Sequence, residues 1–202
     1  MDEGRGARAR VDRRAAAAAI EAFLRALGHE PQGELEGTGE RVAEAWAEEL
    51  LAGEGVDLGR LLREGSSPLS LAAGGSAGLV VARELSLTTV CPHHLLPAQG
   101  RAFVAYLPGQ RLAGVGTLAA LVEACARRLT LQERLGEEVV QALHQELGAR
   151  GAACRLVLSH ACLTARGRRQ TEALVETVAL AGCFSEPGAD RELALRALGV
   201  GQ

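Results

Sequence analysis

The sequence predicts an α+β fold in which an antiparallel four-stranded sheet is covered on one face by two helices and preceded by N-terminal helices. Three observations predict it. Segments with strand character and segments with helical periodicity follow one another in the order strand, strand, helix, helix, strand, strand between residues 79 and 182. The first third of the chain carries helical apolar stripes ended by glycine. A length of 202 residues at 48% hydrophobic and 23% charged composition is enough to bury one core, so a single globular unit with an appendage is expected.

Along the chain, "RRAAAAAIEAFLRAL" (13–27) places Ile20, Phe23, Leu24 and Leu27 on one helical stripe, with Gly28 as the C′ residue. A polar link at 28–37 leads to "TGERVAEAWAEELLAG", where Thr38 reads as the N-cap, Val42, Ala45, Trp46 and Leu50 form the stripe, and Gly53 ends it. Gly, Ser and Pro crowd 64–78, which predicts a linking loop. Residues 1–65 therefore read as an N-terminal helical region, 66–184 as the main domain, and 185–202 as a C-terminal tail with a short helix. Within the main domain "LVVARELSL" (79–87) and "RAFVAYLP" (101–108) have strand character. "TLAALVEACARRL" and "LQERLGEEVVQALHQEL" are helical, the latter repeating Leu131, Leu135, Val139, Leu143 and Leu147. "AACRLVLS" (152–159) and "EALVETVALAG" (172–182) return to strands.

A formal net charge of −3 and a pI near 6.0 give nothing in the bulk balance that suggests nucleic acid or an anionic membrane as partner. The start combines arginines with Asp2, Glu3 and Asp12 and lacks a leucine-rich core with a cleavage site, so it reads as helix rather than signal peptide. No stretch approaches the roughly 20 apolar residues of a membrane span, and a cytoplasmic location is expected. Five cysteines, an odd number, argue against a disulfide framework. Cys125 and Cys154 sit in apolar periodic contexts and read as small buried hydrophobes. All 22 cationic residues are Arg.

The chemistry concentrates in "TTVCPHHLLP" (88–97) and "SHACLTARG" (159–167). Cys91 and His94, three apart in a turn, can aim at one point. If the second segment ends a strand, His160 and Cys162 share a side of it. Zinc accepts thiolates and imidazole, and a catalytic zinc keeps three protein ligands and one open position. Zinc on Cys91, His94 and Cys162 leaves His93 and His160 for proton transfer near a water of lowered pKa. The residues alone leave two other readings open: a closed structural site with a further histidine, and surface histidines with no metal.

Taken together, "TTVCPHHLLP", "GRAFVAYLP", "ARRLTLQERL" and "SHACLTARG" resemble the GTP cyclohydrolase I family in order and spacing, with "GTGERVAEAW" matching more weakly, over roughly residues 35–184. The resemblance implies the tunnelling fold and toroidal homodecamers with active sites between subunits. It implies opening of the guanine imidazole ring of GTP, formate release and closure of a pterin ring, giving dihydroneopterin triphosphate on the way to tetrahydrofolate. It makes Cys91, His94 and Cys162 the Zn2+ ligands, with activated water attacking the carbon between the imidazole nitrogens, and His93 and His160 the proton carriers. Gln132 and Glu133 match guanine-recognising residues, the carboxylate as a charge-assisted bidentate acceptor. Arg166 and Arg41 match cations at the triphosphate, Arg41 from a neighbouring subunit.

Five positions depart from the family pattern. Pro92 stands where a Glu is usual in the Cys-Glu-His-His loop. Gly116, Thr117 and Ala120 replace Ser, Lys and Arg, and Glu44 replaces a Lys. Each charge-assisted contact is worth roughly 1.5–3 kcal/mol, so these changes together would cost on the order of 5 kcal/mol of triphosphate binding unless Arg111, Arg127 or Arg168 compensates. The departures carry two rival expectations: a homologue acting on a less phosphorylated or otherwise altered guanine nucleotide, and a catalytically silent zinc-binding oligomer.

Overall fold

The structure, a computed structural model, describes residues 11–70 and 77–201. The basic chain start (1–10), the middle of the predicted linking loop (71–76) and Gln202 of the predicted tail lie outside the described residues.

Helix α1 (Arg13–Ala26) is capped by Asp12, whose carboxylate accepts from the Ala15 N–H at 2.9 Å. It ends before Gly28, at φ +86°. It lies against α2 (Thr38–Ala45) at close range, because a Cβ on Gly39 would stand 2.6 Å from the Ala17 carbonyl oxygen. Contact through Ala17 leaves the predicted apolar stripe open, with Phe23 and Leu27 each 60% exposed. Thr38 is not the cap of α2. Gly37, left-handed at φ +70°, takes that place, and the Thr38 hydroxyl accepts from Arg41 instead. Nor does α2 run regularly to Gly53: it widens into a π-turn at Trp46–Leu50 and tightens into a 3-10 turn at Ala52–Gly55.

Part of the predicted loop at 64–78 is structured. Helix α3 (Leu58–Glu64), capped by Asp57, runs into β1 (Ser66–Pro68), which pairs antiparallel with β4 (Arg111–Ala113). A three-residue strand ending in proline carries too little periodicity to read from sequence, and proline is tolerated there because the pair has free edges.

The main sheet has the order β2 (Val80–Val90), β3 (Pro97–Leu107), β5 (Gly151–His160), β6 (Val175–Gly182), antiparallel throughout. Helices α4 (Val115–Ala126) and α5 (Gln132–Gln141) cover one face, as expected of the tunnelling fold. Leu118, Leu121, Leu135, Val139 and Leu143 bury there against Val104, Tyr106, Leu156 and Leu158. A strict four-residue leucine spacing overshoots a 3.6-residue turn; the π-turn Ala142–Glu146 absorbs the excess and keeps Leu143 and Leu147 inside. Cys125 and Cys154 are wholly buried in this core. Alternate residues of β3 and β5, Ala105 and Ala153, face the other way and are covered by Phe184, Ala194 and Leu198 at α7 (Ala189–Ala197).

One side chain ties the N-terminal helices to this core. Arg128, 8% exposed, donates from Nε to the carbonyls of Gly53 and Ala124 at 3.0 and 2.9 Å and pairs through Nη1 with Glu138 at 3.0 Å. Gly53 in turn donates to the Arg127 carbonyl, and a Cβ there would fall 2.1 Å from the Ala124 oxygen. Breaking a buried pair leaves a charge and carbonyls unsatisfied. Arg128→Ala should therefore cost about 3 kcal/mol, with Gly53→Ala also destabilising through the backbone clash. Chemical denaturation at fixed protein concentration measures both.

Candidate functional site

Two chain segments about 70 residues apart meet at one end of the main sheet. The β2–β3 connection leaves Val90, whose partner is Pro97, and closes on itself through Cys91 N–H to Leu96 O at 3.0 Å and Leu95 N–H to Cys91 O at 2.9 Å. Leu95 accepts φ +54° to make that closure. Cys91 and His94 thus sit in one tight turn. The second segment follows from register: Ala98 pairs with His160, so the end of β5 lies beside the hairpin. Cys162 does not follow His160 along a strand, as alternation would have it. The chain coils at once into α6 (Ala161–Thr164), the Thr164 hydroxyl donating to the His160 carbonyl at 3.2 Å, and that turn carries Cys162 inward.

The ligating atoms of Cys91, His94 and Cys162 all lie within 4.8 Å of one another, with Cys91 Sγ 3.8 Å from His94 Nδ1. Burial raises the Cys162 thiol above its usual pKa, and the neighbouring Cys91 raises it further, against a lowering by Arg166. Two sulfurs this close favour proton retention when only water is near. A divalent cation reverses that preference, because ligation takes the thiolate. Two sulfurs and one imidazole are a donor set zinc accepts, and three donors match an open catalytic site rather than a closed one. Among the described residues no other group of three such side chains converges. His93 is exposed, its ring edge-on to that of His94 at 6.3 Å.

A cavity of about 300 Å³ opens beside the cluster, lined by all three donors and by His93, His160, Gln132 and Glu133. The start of α5 reaches it because the α4–α5 link is stitched to the end of β2. Val90 bridges to Leu129, Thr130 N–H donates to Val90 O at 3.3 Å, and Thr89 Oγ1 to Arg128 O at 3.5 Å. Glu133 is exposed at the cavity wall in the first turn of α5, where the helix dipole favours a carboxylate. Gln132 is different: only 3% exposed, it donates from Nε2 to Leu156 O, Val175 O and Thr177 Oγ1 at 3.2, 2.9 and 3.2 Å. Its Oε1 lies 2.7 Å from His160 Nε2. Burial lowers the His160 pKa, while Glu133 opposes the shift. Thr89, Thr130, Leu163 and Val175 also line the cavity, and no spacing in the sequence marks them.

The expected phosphate cations are not gathered here. Arg166 is exposed and close enough to Cys162 to act on it electrostatically, whereas Arg41 is held to Thr38 on α2 and does not line the cavity. Thr117 has a structural use: its hydroxyl donates to Gly65 O at 2.7 Å, tying α4 to the end of α3. Gly116 and Glu44 are exposed. Of the arginines that could compensate, Arg111 is spent on Ser66 Oγ, Ser66 O and Arg63 O at 2.8, 2.8 and 3.0 Å, and Arg127 pairs with Glu123. Arg168 is exposed. Nothing in the structure explains Pro92.

Comparison with known proteins agrees with this geometry. The chain is 42% identical over 183 residues to GTP cyclohydrolase 1 of Leifsonia xyli subsp. xyli, covering 90% of this chain and 93% of that protein. It is 37% identical over 175 residues to GTP cyclohydrolase 1 of Gloeobacter violaceus, covering 86% and 79%. To that of Deinococcus radiodurans it is 36% identical over 167 residues, covering 82% and 74%. A solved structure, the archaeosine synthase QueF-Like in the apo form, matches 54% of this chain and 97% of its own at 18% identity and TM-score 0.42; the fold assignment rests on the strand order instead. The family model described as GTP cyclohydrolase I matches residues 16–199, and the chain belongs to that family.

Proposed function

We propose that this chain is a zinc-dependent hydrolase that opens the imidazole ring of the guanine base of GTP, releases formate and closes a pterin ring to give dihydroneopterin triphosphate. The observation that carries the proposal is the meeting of Cys91, His94 and Cys162 with His160 and Glu133 at one cavity, in a chain of this family. Cys91, His94 and Cys162 would hold the ion. Bound there, zinc supplies Lewis-acid activation of water at neutral pH.

The chain's own residues supply the rest. Glu133, with Gln132 beside it, marks the guanine end, where a carboxylate accepts from a ring N–H and an exocyclic amine together. His160, kept neutral by burial, can take a proton from the attacking water, and the exposed His93 can exchange protons with solvent. Arg166, and Arg41 contributed by a neighbouring copy in a homodecamer, would meet the triphosphate. Among the described residues no helix is long and apolar enough to cross a membrane; we propose that the enzyme works in the cytoplasm.

A second reading has a specific observation behind it. Glu44, Gly116, Thr117 and Ala120 bring no cation, and Arg111 is already bonded, so a guanine nucleotide with fewer phosphates fits this chain better than the family pattern implies. Formate release from GTP, GDP, GMP and guanosine by the zinc-loaded protein separates the readings. Turnover confined to GTP supports the first and preference for the shorter substrates the second; stoichiometric zinc with no turnover of any would make the chain a silent homologue.

Ligand and proton carrier separate by substitution. Cys162→Ser should lose both zinc, by metal analysis, and activity, whereas His160→Ala should retain zinc and lose at least about a hundredfold in rate. Loss of metal from His160→Ala would contradict the assignment. Thiol titration gives an independent readout. Cys91 and Cys162 should react in the metal-free protein and be protected by zinc, while Cys154, whose pKa burial raises strongly, stays inert in both forms.

A further inference from the structure

Gln132 lines the proposed guanine end of the cavity, yet its side chain is buried and bonded within the protein. The residue is 3% exposed, and both polar atoms of its carboxamide are engaged within the protein. Which end is nitrogen follows from its surroundings. One terminal atom has two backbone carbonyls and a threonine hydroxyl within 3.2 Å, and carbonyl oxygens only accept, so the NH2 group must face them. The oxygen then faces the imidazole.

That oxygen is an acceptor only, and it lies 2.7 Å from His160 Nε2. A bond that short needs a proton on Nε2. In the neutral ring the other nitrogen, Nδ1, is then bare and is the one atom of His160 able to accept a proton. We infer that Gln132 is a positioning residue that holds His160 in the Nε2–H tautomer, presenting Nδ1 as the base of the site, and that it does not itself read the nucleobase.

The supports of Gln132 explain why it can do this. Leu156 lies in β5, which ends at His160, and Val175 and Thr177 lie in β6 beside it. The carboxamide is therefore fixed to the strand that carries the imidazole, and ring and amide cannot drift apart without breaking strand-anchored bonds.

The inference rests on His160 being the proton carrier proposed above, and the two can fail separately. Zinc-loaded protein with 15N-labelled histidine, sedimented for solid-state NMR, shows which ring nitrogen carries the proton; the His160 signals are those absent from His160→Ala. The expected result is a protonated Nε2 and a bare Nδ1. A proton on Nδ1, or an even mixture, overturns the inference whether or not the protein turns over GTP. In Gln132→Ala the His160 signals should become a tautomer mixture. Its single-turnover rate should fall about tenfold or more while the dissociation constant for GTP stays within about twofold. A raised dissociation constant with an unchanged rate would assign Gln132 to nucleobase recognition instead. If no nucleotide is turned over but Nε2–H is found, the positioning stands and the functional proposal falls.

Discussion

The antiparallel register between β3 and β5 is the constraint on which the site depends. Cys91 and Cys162 are far apart in sequence, and no local propensity brings them together. Pairing from Leu107 opposite Gly151 to Ala98 opposite His160 does so, because it fixes how far the hairpin loop reaches past the end of β5. A slip of one residue would reverse the faces of every side chain in the strand. It would turn Val104 and Tyr106 away from the helices and bring Arg101 and Phe103 beneath them. The hydrophobic core under α4 and α5 thus enforces the geometry of a cluster that contributes little to that core. Stability and function are coupled through register.

A second constraint brings the remaining wall. Helix α5 could begin anywhere along the sheet as far as its leucine stripe is concerned, but the link before it is pinned to the end of β2 and to Arg128. Arg128 is a guanidinium placed where water is scarce, satisfied by two carbonyls and a carboxylate. Hydrophobic packing alone would hold the helix without fixing its start to a particular residue. Directional bonds supply that precision, and Gln132 and Glu133 inherit it as the next residues along the chain.

Much of this was legible in the sequence, and the limits are physical. The four strands and two covering helices were readable because the period-2 and 3.6-residue patterns are strong where one face is buried. Cys91, His94 and Cys162 could be nominated because thiols and imidazoles so grouped have few structural uses. Their convergence was readable, but not for the reason that alternation along a strand suggests: a four-residue helical turn at Ala161–Thr164 is too short to carry a period. Thr38 looked like a cap because its chemistry suits one, yet Gly37 took the place since the chain enters the helix from a left-handed residue. Strands β1 and β4 were missed because three-residue pairs depend on their partners, not on their own pattern. The burial of Gln132 was invisible, since a glutamine beside a glutamate at a helix start reads as polar surface unless the helix is known to start inside a cavity.

On the proposed reading, the base end and the phosphate end of the site are built by different means, and their chemistry explains the difference. A planar base is recognised by a few directional bonds whose angles matter, so its end must be rigid. The residues there come from strand ends, a closed turn and the first turn of a pinned helix. A chain of phosphates is recognised largely by charge, which falls off gradually with distance and tolerates long flexible side chains. Among the described residues the cations proposed for that end are not gathered at the cavity: Arg166 is exposed, Arg41 lies on another helix, and the α4 start is tied to α3 by Thr117 rather than free to offer a cation. Substitution of the exposed Arg166 or Arg41 leaves the core and the metal donors untouched, whereas a change at Gln132 or in the β3–β5 register would not. On that reading, variation in what is attached to the base is easier for this fold to absorb than variation in the base itself.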